Sequence, residues 1–205
     1  MTESEELFEQ YCQEQNVGCN RIDEGVAKTP DYLISIDDLD VVVEIKQSDI
    51  SKEEKVILEE FEKNGFTSRG GIPGNKVRSK INSAVQQLSK LDKPALLVLH
   101  NNFPFVLGDP FDSYNVRVGM YGLESIVLSV PNSCDPPTVI DRKFGPKKKL
   151  TEKHNTSISA VAVLKEKQGQ GLSLNVFHNA HASKPLPAGF MKGRSGVEYV
   201  LSENR

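Results

Sequence analysis

The chain has 205 residues, and its 25 Lys and Arg set against 28 Asp and Glu leave a formal net charge of -3 and a pI near 5.9. That balance excludes a histone-like polycation, so any nucleic-acid contact has to be a local patch, and the length suits one domain with an ample core or one domain with an elaborate second half. Three scattered cysteines make neither a disulfide framework nor a CxxC metal site; with no signal-peptide core in MTESEELFEQ and no apolar run long enough to span a bilayer, we expect a soluble cytoplasmic protein in a reducing compartment.

Ser4 to Gln15 reads as a helix with Leu7, Phe8, Tyr11 and Cys12 on one face, capped by Thr2 or Ser4. Val17 to Ile22 reads as a short strand, followed by a turn at Asp23-Glu24-Gly25. Tyr32 to Ile36 and Val41 to Lys46 read as the two arms of a β-hairpin, with the acidic Asp37 to Asp40 as its turn. Ser51 to Lys63 is a charged helix with Val56, Ile57 and Phe61 on one side. Thr67 to Lys76 is glycine-rich and lacks carboxylates, so it reads as a basic loop. Val77 to Leu91 is the clearest helix, with an apolar stripe of Val77, Ile81, Ala84, Val85, Leu88 and Leu91. Lys80 and Gln87 flank that stripe on one side and Arg78 on the other. Ala95 to His100 is a buried-type strand. The second half reads as mainly β, with strands at Ser125 to Val130, Ile158 to Leu164 and Leu172 to His178. Pro131 to His154 reads as a basic connection, and the chain from Ser183 onward as loop. We therefore expect a core over residues 1–100 and a β-rich extension over 101–205 packed on the same domain.

The chemistry concentrates at Pro30-Asp31 and Glu44-Ile45-Lys46. Side chains two apart on a strand share a face, so Val42, Glu44 and Lys46 point one way and Val41, Val43 and Ile45 the other. A strand this apolar is buried on both sides. Two charges inside it are costly unless they are paired or bound to a metal. Pro30 fixes its own φ and biases Thr29 to extended geometry, which presents Asp31 at the start of the first arm, near the end of the second. Two carboxylates suit Mg2+, which favours oxygen ligands and keeps several waters. Such a metal activates water and polarises a phosphate, and an adjacent ammonium stabilises the anionic transition state.

The Pro-Asp…Glu-x-Lys text, carried on the middle strands of a helix-strand-strand-strand-helix-strand order, resembles the PD-(D/E)xK nuclease superfamily. That resemblance covers about half the chain. It implies a restriction-endonuclease-like αβββαβ core, in the α/β class, with a mixed central sheet flanked by helices. It implies a Mg2+-dependent endonuclease acting on DNA, with Mn2+ able to substitute, in which Asp31 and Glu44 ligate the metal and Lys46 sits beside the attacking water. It gives Glu5 a place in the catalytic shell, with Glu9 in reserve. Gln87 and Lys80 match, by location, a glutamine or basic residue that several branches use. Nucleases cutting both strands often pair two sites, so a homodimer is a further expectation.

Arg69, Lys76, Arg78 and Lys80 are candidate phosphate contacts, against the plainer reading of a solvated linker. Lys147 to Lys149 is a second basic run, more simply a solvated surface. His178-x-x-His181 lacks a third strong ligand for a metal. His154-Asn-Thr156 and His181-Ala-Ser183 both fit the H-x-[ST] text of two-histidine phosphoesterases, but they are close together and His154 does not follow an apolar strand. Cys134 has no base beside it in sequence. A non-catalytic nucleic-acid- or protein-binding module on the same fold is the alternative function. An exposed hairpin with a Glu44–Lys46 ion pair of little energetic value is the plain structural alternative.

Overall fold

A computed structural model describes residues 1–23, 29–68, 70–89, 92–132, 134–167, 169 and 171–200. It is a mixed α/β structure built on a seven-stranded sheet flanked by helices. The expected turn at Asp23-Glu24-Gly25 and the terminal Leu91 of the expected helix stripe fall wholly or partly outside those residues.

Helix α1 (Glu3–Glu14) starts at Thr2, whose hydroxyl accepts from the Glu5 N–H while the Glu5 carboxylate accepts from the Thr2 N–H. This capping box satisfies two otherwise orphan donors. Strands β1 (Gly18–Arg21), β2 (Tyr32–Ile36) and β3 (Leu39–Ser48) form an antiparallel meander. The β2–β3 turn uses two residues, Asp37 and Asp38, both at positive φ, as a tight hairpin matched to strand twist requires. Helix α2 (Lys52–Asn64) carries a second capping box, between Ser51 and Glu54. Helix α3 (Asn75–Leu88) leads into β4 (Ala95–Asn101), which lies parallel to β3.

After a short 3-10 turn (Phe105–Leu107) come α4 (Ser113–Tyr121), β5 (Glu124–Ser129) and β6 (Thr138–Phe144). β5 and β6 pair only with each other, as a separate two-stranded sheet. Strands β7 (Ala160–Lys167), β8 (Gly171–His178) and the short β9 (Glu198–Tyr199) return to the main sheet, in the order β1-β2-β3-β4-β7-β8-β9. The extension thus continues the sheet of the first half. Three elements differ from the sequence reading: α4 was not anticipated, β6 lies inside the expected basic connection, and β9 lies in the expected C-terminal loop.

The two sheet faces bury separate cores. Phe8, Tyr11 and Cys12 of α1 meet Val41, Val43 and Ile45 of β3 and Leu96 and Val98 of β4 on one face. Val77, Ile81, Ala84 and Leu88 of α3 meet Val42, Leu97 and Leu99 on the other. Helix α4 adds Val116 and Met120 to the second core. Its approach to α3 is very close: a Cβ built on Gly119 would stand 2.5 Å from Val77 Cβ and 3.2 Å from Gly74 O. Gly119→Ala therefore has to push two helices apart. We expect it to lower the unfolding free energy by about 1–3 kcal/mol. A urea midpoint equal to that of the parent protein would show that this contact is not as tight as described.

Candidate active site

Asp31, Glu44 and Lys46 converge because of strand register. Tyr32 is opposite Val43, so Asp31 stands across from Glu44 at the point where the β2–β3 ladder ends. The Asp31 N–H donates to Val43 O at 3.0 Å. Its carboxylate then accepts from the Ile45 N–H at 2.6 Å, replacing the carbonyl that a longer β2 would have supplied. The acid is thereby fixed against the β3 backbone.

Glu44 is fully buried on the face shared with Val42. One of its oxygens, Oε1, is in close contact with Lys46 Nζ. The other, Oε2, is buried with no hydrogen-bond partner. Burial pushes Glu44 up to about 7; the Asp31 charge adds to this, while Lys46 and, more weakly, the Gln87 amide oppose it. Asp31 is also raised, first by burial and further by Glu5, against the pull of the Ile45 N–H and Lys46. Two acids that oppose each other's ionisation, one with an unanswered oxygen, form a set that a divalent cation would satisfy. Asp31 and Glu44 fit a Mg2+ ion that keeps most of its waters. No group of three or more His, Cys, Asp or Glu among the described residues is arranged to hold a metal, so the ion would rest on this pair.

Glu5 lies at the edge of the site. Its Oε2 is held by the capping box, and its Oε1 faces Arg21 at 3.3 Å. It is near enough to raise Asp31. Glu9, the reserve, is turned to the Tyr32 hydroxyl at 2.7 Å. Arg21 was missed from sequence: it pairs with Glu5, lies 5.8 Å from the Tyr32 ring and pulls Asp31 down. A lone arginine on a four-residue strand carries no signal of that position until the β1–β2 register is known.

The expected nucleic-acid contacts divide. Arg69 lies outside the described residues. Arg78 is a correction: it is buried, and its guanidinium donates to Val118 O and Pro73 O at 3.1 and 2.6 Å. Its place beside the apolar stripe turned it inward, where it ties α3 to α4 and to the loop before it. Lys76 pairs with Glu54 at 3.0 Å and lies over the Phe103 ring. Lys80 donates to Gln47 O at 2.6 Å; burial lowers its pKa, with Lys46 and Lys76 adding to the lowering and Asp49 opposing it. Lys46, Lys76 and Lys80 thus form one cationic group where β3 leaves the sheet, and Gln87 adjoins Glu44.

The histidine motifs stand elsewhere. His178 Nε2 contacts Glu198 at 2.6 Å, and the His181 ring meets the edge of Tyr121. The two H-x-[ST] segments adjoin through the Ser183 N–H to Thr156 O bond at 2.8 Å, but His154 is exposed on a turn. Lys149 and Leu150 N–H groups donate to Met120 O, so the end of the lysine run is anchored. All three cysteines are free, and Cys134 is exposed.

Comparison of the chain with protein-family models, with curated proteins and with solved structures finds no match.

The raised pKa of Glu44 makes a stability prediction without metal. Its folded value of about 7 lies above its ordinary 4.5, so the folded state holds the proton more tightly. That preference favours folding fully below pH 4.5 and is lost as pH rises through 7. Glu44→Gln removes the dependence. The stability difference between variant and parent should move by about 3 kcal/mol in favour of the variant across that window, measured by urea unfolding in a chelator. A flat difference would rule out a perturbed Glu44.

Proposed function

We propose that the protein is a metal-dependent nuclease that hydrolyses phosphodiester bonds in DNA, with Mg2+ as the working ion and Mn2+ as a substitute. The observation that carries this reading is the unpartnered Glu44 Oε2, fully buried, beside Asp31 and Lys46. An element order of helix, three antiparallel strands, helix and parallel strand, with the acids on the two middle strands, supports a restriction-endonuclease-like assignment within the α/β class.

Bound Mg2+ supplies Lewis acidity toward the phosphate and a more acidic water. The protein's own groups do the rest. Asp31 and Glu44 position the ion, Asp31 through a backbone bond that fixes its carboxylate. Lys46, one quarter exposed at its side chain, reaches outward to hold the nucleophile or the anionic phosphate. Lys80, which has no carboxylate partner among the described residues, extends the positive charge along the path of the nucleic-acid backbone. Glu5 and Arg21 border the site on the α1 side.

The decisive assay is nicking of supercoiled plasmid in Mg2+ or Mn2+. Asp31→Asn keeps an acceptor for the Ile45 N–H, so it tests charge rather than fold. This variant and Lys46→Ala should each cut at least about 100-fold more slowly while still binding DNA. Binding by all proteins with cutting by none would replace the enzyme with a non-catalytic binding module.

A further inference from the structure

A cavity of about 440 Å³ opens over the carboxy-terminal ends of β4 and β7. Consecutive His100, Asn101 and Asn102 line it, so it draws on both faces of β4, and Leu7 and Leu164 supply apolar wall. Register places it next to the candidate site. Lys46 is opposite Leu99, so the His100 backbone is one strand over and one residue on, about 6 Å by strand geometry, with its side chain on the α1 face and that of Lys46 on the α3 face. The Ser4 N–H donates to Gln47 Oε1 at 3.2 Å, which brings the start of α1, with Glu3, to the same rim.

Two features of this cavity bear on what it could hold. Phe105 lines it from the 3-10 turn after Pro104 with its ring fully exposed, which leaves an aromatic face open to stacking. His100 is only 8% exposed, with Nδ1 at 3.4 Å from Leu164 O. The charges narrow the occupant. Glu3, Asp109 and Glu166 are in the lining, and Lys165, the cation among the lining residues, is already paired with Asp109 at 2.8 Å. Such a lining repels a phosphate. It accepts a neutral planar ring that stacks on an aromatic and offers N–H donors to carboxylates. Its volume falls in the range of pockets that enclose small ligands.

We propose that this cavity receives an unpaired nucleobase adjoining the scissile phosphate, stacked on Phe105 and hydrogen-bonded by His100 Nε2 and Glu3. The placement beside a phosphodiester rests on the nuclease reading; the base binding rests on the cavity alone. The substrate is then a strand with a base free of its duplex, as in a single strand, flap or loop. Stacking on an aromatic tolerates any base, while the carboxylates favour bases with exocyclic amines over thymine.

The test uses the full chain, an oligonucleotide carrying 2-aminopurine and Ca2+ in place of Mg2+. Stacking quenches the probe, so the parent protein should quench it in a single strand and not in a duplex. Phe105→Ala truncates an exposed side chain and is expected to fold normally, which a melting curve checks. It should weaken single-strand binding about tenfold and remove the quench. In Mg2+, its ratio of single-strand to duplex cutting should fall by a similar factor. Equal quenching and equal ratios in both proteins would overturn the proposal. If the parent cuts neither substrate, the nuclease reading fails; quenching that Phe105→Ala abolishes then still supports the base pocket, and absence of quenching rejects it.

Discussion

The structure turns on a carboxylate buried inside a β-sheet. Glu44 lies on a strand flanked by β2 and β4, on the face that α3 covers, with no solvent contact. An isolated ionised acid in such a place is strongly disfavoured. One oxygen is answered by Lys46, and the other has no hydrogen-bond partner among the described residues, with the Gln87 amide acting only weakly on the carboxylate. A valine or leucine would fit the same strand at lower cost, as its neighbours Val41, Val42 and Val43 do. An acid placed against that gradient, with its pKa raised by burial, marks the position as a candidate functional site.

Asp31 meets Glu44 only because register is fixed at a distance. The two-residue turn at Asp37 and Asp38 sets which β2 residue faces which β3 residue. A slip by one position would turn each side chain of β2 to the opposite face and remove Asp31 from the pair. The first core enforces the same register from the other side, because Ile34 and Ile36 of β2 pack with Val41 and Val43 beneath α1. Ser4 then ties α1 to β3 through Gln47. Hairpin turn, aliphatic core and helix start therefore act together on the position of one carboxylate.

The parts legible in the sequence were those specified locally. Capping residues and an apolar face marked α1, an apolar side marked α2, alternation marked β2, a β-branched run marked β3, and the stripe from Val77 to Leu88 marked α3. The convergence of Asp31, Glu44 and Lys46 followed from strand parity and one turn. What escaped depended on tertiary partners or lacked a buried face. β6 is exposed along nearly its whole length, so its sequence shows no burial pattern, and the prolines and lysines around it read as a connection. Helix α4 is short, and besides its buried Val116 and Met120 it meets α3 through a close glycine contact that no local pattern announces. Arg78 and Lys76 read as free cations because nothing local announces the Val118 carbonyl or Glu54 as their partners.

The cations near the site are not equivalent, and the difference bears on how the site would work. Lys76 is neutralised by Glu54, and Lys46 by Glu44. Lys80 donates to a neutral carbonyl rather than to a carboxylate; burial lowers its pKa, with Asp49 as the favourable charge nearby. On the nuclease reading, Glu44 has two competing claimants, the ammonium of Lys46 and a divalent ion. A divalent ion held by Asp31 and Glu44 would draw on the same carboxylate that Lys46 pairs with, and would leave more of the Lys46 charge available to an anionic phosphate. A surface hairpin with the same residues could not behave this way, because water would already have weakened the bond that has to be exchanged.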